Sequence, residues 1–275
     1  MQPASAASVA SDDAPGTQNP SPTLNRPPPR TGSKIRVDQL LVERGLAESR
    51  TRAQSLIMAG VVLSNGRRID KPGTSVPDDT PLELKGQDHP WVSRGGLKLS
   101  HAIAHFGFDP TGRVCLDVGA STGGFTDVLL HHGAARVYAV DVGHGQLAWK
   151  LRNDPRVVVK EKLNARHITT EDVPEPIQAL VCDASFIGLR TVIQAPVALC
   201  APGCWAAVLI KPQFEVGPKI AQGGVVRDPA VHEQVCQEMA AWWATLPGWR
   251  VLGVEASPIT GPEGNREFLL GAVKE

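Results

Sequence analysis

Asp117-Val118-Gly119-Ala120-Ser121-Thr122-Gly123-Gly124-Phe125 follows the apolar run Val114-Cys115-Leu116 and leads into Phe125 to His132. A short apolar run, then glycines, then a helical pattern predicts a strand over 114–116, a tight turn and a helix over 125–132. Outward from this turn, strands are expected at 136–140, 157–159, 179–182, 205–210, 251–255 and 267–270, with helices near 147–151 and over 232–243. Alternating apolar strands and helices signify an α/β fold: a Rossmann-like, doubly wound, mostly parallel sheet covered on both faces. Such sheets bind ligands outside the carboxyl ends of their strands, near the switch point.

The spacing of Gly119, Gly123 and Gly124 narrows the ligand. A dinucleotide turn wants G-x-G-x-x-G with a pyrophosphate on the helix amino terminus, which is what a nicotinamide-dependent oxidoreductase would need. This turn lacks that spacing, and Asp117 would place a negative charge beside the phosphates. S-adenosylmethionine carries a sulfonium, an ammonium and no phosphate, so a carboxylate at the strand end suits its methionine end. Asp141, at the end of the next strand, is placed to accept hydrogen bonds from ribose hydroxyls, and Asn164, after the third, could reach the adenine side. The plainer alternative is a turn that merely connects strand to helix, with Asp117 as a helix cap.

The chain has 275 residues, room for one sizeable core and a small second module. Its zero net charge conceals an asymmetry: Lys34 to Lys71 carries eight Lys/Arg against four Asp/Glu, and Pro72 onward carries 18 against 22. A basic module thus precedes an acidic one, a pattern that suits nucleic acid. In the basic module, apolar faces at Val37, Leu40, Leu41 and Leu46 and at Ala53, Leu56, Ile57 and Ala59 predict two helices stopped by Gly45 and Gly60. Asn65-Gly66 between Val61-Val62-Leu63 and Arg67-Arg68-Ile69 predicts a hairpin, Leu82 to Leu84 a closing strand, and 85–90 a linker. Residues 1–33, rich in Pro and Ser, read as a disordered tail. Five cysteines, an odd number, point to a reducing compartment, the cytoplasm, and neither they nor the histidines show a metal spacing, so no metal is implied. The uncharged stretch 191–210 is interrupted by Pro196, Pro202 and Gly203, and reads as helix, turn and strand rather than a membrane span.

These residues fall in blocks: RVDQLLVERGLAESRTRAQSLIMAGVVLSNGRRIDKPG from Arg36, VSRGGLKL, DVGASTGGFTDVLL, DVGHGQLAWKLRNDPRV, CDASFIGL, LIKPQFEVG, GGVVRDP and GPEGNREFLL. In this order, from about Lys34 to the end, they resemble the TlyA-type ribosomal RNA 2'-O-methyltransferases, called haemolysins in older usage and related to FtsJ-type enzymes. The resemblance implies an S-four-type RNA-binding domain over 34–85, a linker over 86–92 and an S-adenosylmethionine-dependent methyltransferase domain over 93–275. Its implied partner is ribosomal RNA or a ribosomal subunit, with a cytidine ribose as acceptor, and no membrane. Arg36, Arg44, Arg50, Arg52, Arg67 and Arg68 would pair with phosphates. The turn would hold the cofactor through Asp117, Gly119, Ser121, Thr122, Gly123, Gly124 and Phe125, with Asp141, Asn164 and Asp183.

The resemblance also implies a catalytic Lys-Asp-Lys-Glu set at Lys98, Asp183, Lys211 and Glu267. A ribose hydroxyl is a weak nucleophile, so its proton must be withdrawn while oxygen, methyl and sulfur lie in line. Lys211 takes that role in this reading, crowded by Lys98, with Asp183 and Glu267 orienting the ammonium groups. Trp91-Val92 would join the two modules or anchor one against the other. The competing classes are a non-catalytic RNA-binding or assembly protein, for which the basic module would look the same, and a membrane-active haemolysin.

Overall fold

A computed structural model describes residues 34–47, 49–85, 89–217, 220–261 and 263–275. The expected tail over 1–33 lies outside them, as do residues 86–88 of the expected linker. The chain divides into two units between residues 87 and 88.

In the first unit β1 (Lys34–Arg36) leads into α1 (Val37–Glu43) and α2 (Arg50–Met58), then β2 (Val62–Ser64), β3 (Arg67–Arg68), β4 (Ser75–Pro77) and β5 (Glu83–Leu84). Ser49 caps α2, its hydroxyl accepting from the Arg52 amide at 3.2 Å. Asn65 and Gly66 both adopt positive φ, 48° and 73°, as a two-residue hairpin loop between β2 and β3 demands. β5 pairs with β2 on its other edge. The pairing of β1 with β4 is an addition to the expected elements. Val37, Leu41, Ala53, Ile57 and Val62 bury completely between the helices and the strands.

The second unit opens with α3 (Gly95–Phe106), a helix the reading of the sequence did not place. Leu99, Ala102, Ile103 and Phe106 recur at helical spacing, and the first three are buried. Then come β6 (Val114–Val118), α4 (Gly124–His131), β7 (Arg136–Asp141), α5 (Trp149–Arg152), β8 (Val157–Glu161), β9 (Ile177–Cys182), α6 (Leu189–Ala198), β10 (Cys200–Ile210), α7 (Pro212–Glu215), α8 (Pro229–Trp243), β11 (Trp249–Ala256) and β12 (Phe268–Lys274). The seven strands form one sheet in the order β11-β12-β10-β9-β6-β7-β8, with only β12 reversed. Period-two alternation splits the strand residues between two cores. Leu116, Val118, Val140, Leu180, Val208 and Ile210 face α6 and α8, while Cys115, Val137, Ala139, Val181, Ala207 and Leu209 face α3 and α4. The expected doubly wound sheet is therefore present.

Two expectations are corrected. Pro202 and Gly203 do not end an element before Trp205. They sit in an irregular stretch of β10, where the register with β9 shifts between Cys200 and Trp205 and Gly203 takes φ 79°. Trp91 and Val92, assigned to the linker, pack within the second unit. The Trp91 ring is buried against the backbone of Gly96 and edge-on to His131, and the Val92 amide donates to Asp127 at 2.8 Å.

Candidate active site

β6 is central, and the chain leaves it toward β7 and β8 on one side and returns through β9 and β10 on the other, so a crevice opens at the carboxyl end of β6. Asp183 follows β9 and Lys211 follows β10. Because β12 is reversed, its amino-terminal end lies at the same edge, and Glu267 precedes it. Ile210 pairs with Phe268, so Lys211 and Glu267 are each one residue beyond that last register pair. Lys98 comes from α3, which lies over the same sheet.

These four side chains form one connected chain. Lys211 Nζ lies 2.6 Å from Asp183 Oδ1, Lys98 Nζ lies 3.0 Å from Asp183 Oδ2, and Lys98 Nζ lies 2.6 Å from Glu267 Oε2. Lys211 Nζ also donates to the Asp183 carbonyl at 3.1 Å and to Ser185 Oγ at 2.8 Å. Both lysine side chains are under a tenth exposed, and Glu267 is nearly sealed. Two buried cations are thus balanced by two carboxylates. The expectation that Lys98 directly crowds Lys211 is corrected in one respect: the Asp183 carboxylate bridges the two ammonium groups.

The turn after β6 forms the facing wall. Gly119, φ 81°, lies flat on Ala184, and a Cβ there would come within 2.8 Å of the Ala184 Cα. A Cβ on Gly124 would stand 2.9 Å from the Gly96 amide, and one on Gly123, φ 94°, would enter the side chains of Leu147 and Leu151. The three glycines are therefore required first for packing of protein on protein. Gly119, Ser121, Thr122, Gly124 and Phe125 line a cavity of about 540 Å³ together with the four charged residues. Gly123 does not reach it.

Asp117, expected just past the strand end, lies inside β6, because the strand runs on to Val118. Its side chain is fully buried, with Oδ2 accepting from Thr126 Oγ1 at 2.7 Å and Oδ1 lacking a hydrogen-bond partner. Burial pushes this carboxyl up to about 7 against the lowering effect of the Thr126 hydroxyl, and the charges of Asp183 and Asp141 add to the rise. Asp141 closes β7 and shapes the loops beside it, accepting from the Ser121 amide at 2.8 Å and the Gly143 amide at 2.7 Å. Asn164 caps a single 3-10 turn, its side-chain oxygen accepting from the Arg166 amide at 3.1 Å. Neither lines the cavity.

Residues 91–274 match the FtsJ-like methyltransferase family, and residues 35–79 match the S4 domain. The chain belongs to the FtsJ-like methyltransferase family. It is 49% identical to the 16S/23S rRNA (cytidine-2'-O)-methyltransferase TlyA of Mycobacterium tuberculosis, over 86% of this chain and 89% of that protein. It is 40% identical to Hemolysin A of Brachyspira hyodysenteriae, over 86% of this chain and 98% of that one. A solved structure named as a hemolysin, from Streptococcus thermophilus, superposes with a TM-score of 0.69 at 44% identity, covering 88% of each chain.

The FtsJ-like unit has a feature at its cavity that the motifs did not single out. Phe186, three residues past Asp183, is 92% exposed and holds a positive φ of 65°, uncommon for an aromatic residue. It lines the cavity and leans on Phe214, the ring centroids 5.5 Å apart. A large apolar side chain kept in water in a costly backbone region is a signal, since both features oppose stability and need an external reason. In the sequence it is only one aromatic in CDASFIGL.

The S4 unit sorts the six arginines. Arg36 and Arg50 reach the fully buried Asp38, at 2.9 and 3.2 Å, and Gln54 joins them. The Arg36 hydrogen bond, with those of Gln54 and Arg50, holds the Asp38 carboxyl well below the usual range despite its desolvation. Arg44 donates to the carbonyls of Asp78 and Thr80, tying α1 to the segment after β4. Arg67 and Arg68, beside the hairpin turn, are exposed, and Arg52 on α2 is partly so.

Proposed function

We propose that this FtsJ-like methyltransferase transfers a methyl group from S-adenosylmethionine to a ribose 2'-hydroxyl of ribosomal RNA, with cytidine as the modified nucleotide. The observation that carries this reading is the chain Lys211, Asp183, Lys98 and Glu267 on the wall of a cavity whose opposite wall is the Gly119–Phe125 turn. The names of the rRNA methyltransferase relatives support the acceptor.

The residues present fit the cofactor. The close-packed Gly119–Phe125 turn lines the cavity, the Asp183 carboxylate lines it as a counter-charge for a cationic ligand, and each Asp141 oxygen, beside the turn, keeps a lone pair for a ribose hydroxyl. S-adenosylmethionine, when bound, supplies an electrophilic methyl group on a sulfonium. On the protein side, Lys211 meets the incoming 2'-hydroxyl and takes the proton it gives up as the methyl group is transferred, and the Asp183 carboxylate beside it balances the resulting ammonium. Lys98, held in turn by Glu267, contacts the second Asp183 oxygen, so the carboxylate stays turned toward Lys211. The burial of this chain keeps bulk water from competing for the hydroxyl. Incubation with labelled cofactor and separated ribosomal subunits, followed by mass spectrometric mapping, should place the label on a ribose. Label on protein or lipid and none on RNA would sink the reading. Calorimetry should show binding of S-adenosylmethionine and none of NAD. The hemolysin-named relative raises membrane lysis as a second reading, but among the described residues no helix is long and apolar enough to cross a membrane. Lysis by the purified protein without RNA or cofactor would support it.

Phe186 is placed to stack on the base of the target nucleotide while its ribose enters the cavity. Base-aromatic stacking is worth about 1–3 kcal/mol, so Phe186→Ala should lower kcat/KM for RNA by roughly 5- to 150-fold. Binding of S-adenosylmethionine should stay unchanged; a Phe186→Ala enzyme with full activity on ribosomal subunits would remove the residue from the site. The arginines divide in the same experimental sense. Arg67→Ala and Arg68→Ala should weaken RNA binding and each reduce the salt slope by about 1, whereas Arg44→Ala should lower the melting temperature of the S4 unit instead. Equal salt slopes for wild type and the hairpin variants would move the RNA contact elsewhere.

A further inference from the structure

Gly253 on β11 and Gly271 on β12 lie opposite each other in the antiparallel register, and both face the ring of Phe106 at the end of α3. A Cβ on Gly271 would sit 2.7 Å from that ring, so the two glycines form a hollow that lets the end of α3 settle close onto the sheet. Side chains alternate along a strand, so Glu255 shares the face of Gly253 and points to the same helix. On α3, His101 and His105 stand one turn apart with their rings stacked, centroids 6.0 Å apart. His101 Nε2 lies 3.6 Å from Glu255 Oε1 and His105 Nε2 lies 3.7 Å from Glu255 Oε2. Both separations exceed a hydrogen bond, and His101 Nε2 is shielded from solvent without a hydrogen-bond partner. One ligand atom from each of the three residues can be chosen so that all lie within 4.8 Å of one another.

We propose that His101, His105 and Glu255 form a binding site for a divalent transition metal of the zinc class, separate from the catalytic cavity. Two imidazoles and a carboxylate are a donor set for such ions, and hard cations such as magnesium prefer oxygen alone. Zinc held at about 2.0–2.2 Å by each ligand in a tetrahedron needs ligand atoms roughly 3.3 Å apart. The nitrogen–oxygen separations, each to a different Glu255 oxygen, are a few tenths of an ångström from that, a set of one ligand atom per residue lies within 4.8 Å, and the side chains, between 35% and 44% exposed, have room to close the remainder. The same exposure leaves the fourth position to water. The site has a structural consequence for the reaction proposed above. Lys98 lies three residues before His101 on the same helix, so a metal joining α3 to β11 would hold the helix that presents Lys98 to Asp183 and Glu267. Without a metal, the cluster is a pair of partly exposed histidine–glutamate contacts, which are worth little.

The test uses the full chain, stripped with a chelator, dialysed and titrated with zinc chloride alone. About one zinc per chain should bind with a rise in melting temperature, as expected for an ion that binds only the folded state. His105→Gln and Glu255→Gln should each weaken binding by about 100-fold or more, beyond what losing an outer-shell partner costs. Two variants on different elements guard against one of them misfolding. Cobalt(II) in place of zinc should give a spectrum without thiolate charge transfer. The proposal is overturned if no zinc is retained, if both variants bind as the wild type does, or if the cobalt spectrum places the metal on a cysteine such as the partly exposed Cys236.

Discussion

Lys211→Ala will lower methyl transfer by about 10²- to 10⁴-fold, the range in which a positioned acid–base group contributes, and leave RNA affinity within about twofold. The two parts have different causes. Lys211 is at the base of the cavity, under a tenth exposed, with its nitrogen on Asp183 and Ser185. It has little surface with which to hold RNA, so the loss should appear in kcat rather than in binding. The S4 unit, with exposed Arg67 and Arg68, would supply affinity unchanged. Folding should be affected only modestly, because Asp183 keeps its contact with Lys98. Single-turnover methylation and a filter-binding titration separate the effects. A Lys211→Ala protein that methylates at the wild-type rate would refute the catalytic role, and one that loses RNA binding in proportion would turn the residue into a binding group.

Asp183→Ala will do something different: it will abolish transfer and also destabilise the methyltransferase unit, by about 3–5 kcal/mol. Asp183 is the link between two cations that are almost sealed from solvent. Removing it leaves Lys211 with only Ser185 and a backbone carbonyl, and leaves Lys98 with Glu267 alone. A buried charge without its partner loses hydration and gains nothing in return. Urea unfolding at neutral pH would report the loss. Asp183→Ala combined with Lys211→Met should regain part of it, since the second change removes the orphaned charge, and such non-additivity is what a shared network produces. Single variants whose costs simply add, or an Asp183→Ala protein as stable as the wild type, would show that the chain of contacts carries no energy.

Much of the architecture was legible before any coordinates because it rests on local pattern. Apolar runs of strand length marked β6, β7, β9 and the latter half of β10, and Asn65-Gly66 marked a hairpin through the positive φ it allows. The first half of β10 was not legible, since Pro202 and Gly203 usually end an element and here are absorbed by a register shift. α3 carries its period in Leu99, Ala102, Ile103 and Phe106, but it opens on Gly95 and Gly96, poor helix formers that mask its start. At the site, the family resemblance implied Lys98, Asp183, Lys211 and Glu267. Their pairing was not readable, because the contacts depend on how β9, β10, β12 and α3 converge.

Placing Asp117 just past the strand end missed by two residues of strand length, enough to carry its side chain from an open turn into full burial. Among the arginines, charge alone could not tell Arg67 from Arg44. Which guanidinium has a carbonyl or carboxylate within reach is a property of the folded unit. The spacing of His101 and His105 looked empty of meaning because their third partner, Glu255, lies far along the chain on an edge strand. What the sequence determined by itself is the alternation of strands and helices, the basic amino-terminal module and the chemistry of the side chains, all of which follow from neighbours within a few residues. The tertiary structure alone decided which charges neutralise each other, which glycines serve packing, and that Phe186 stands in water, because those outcomes depend on distances between segments far apart in the chain.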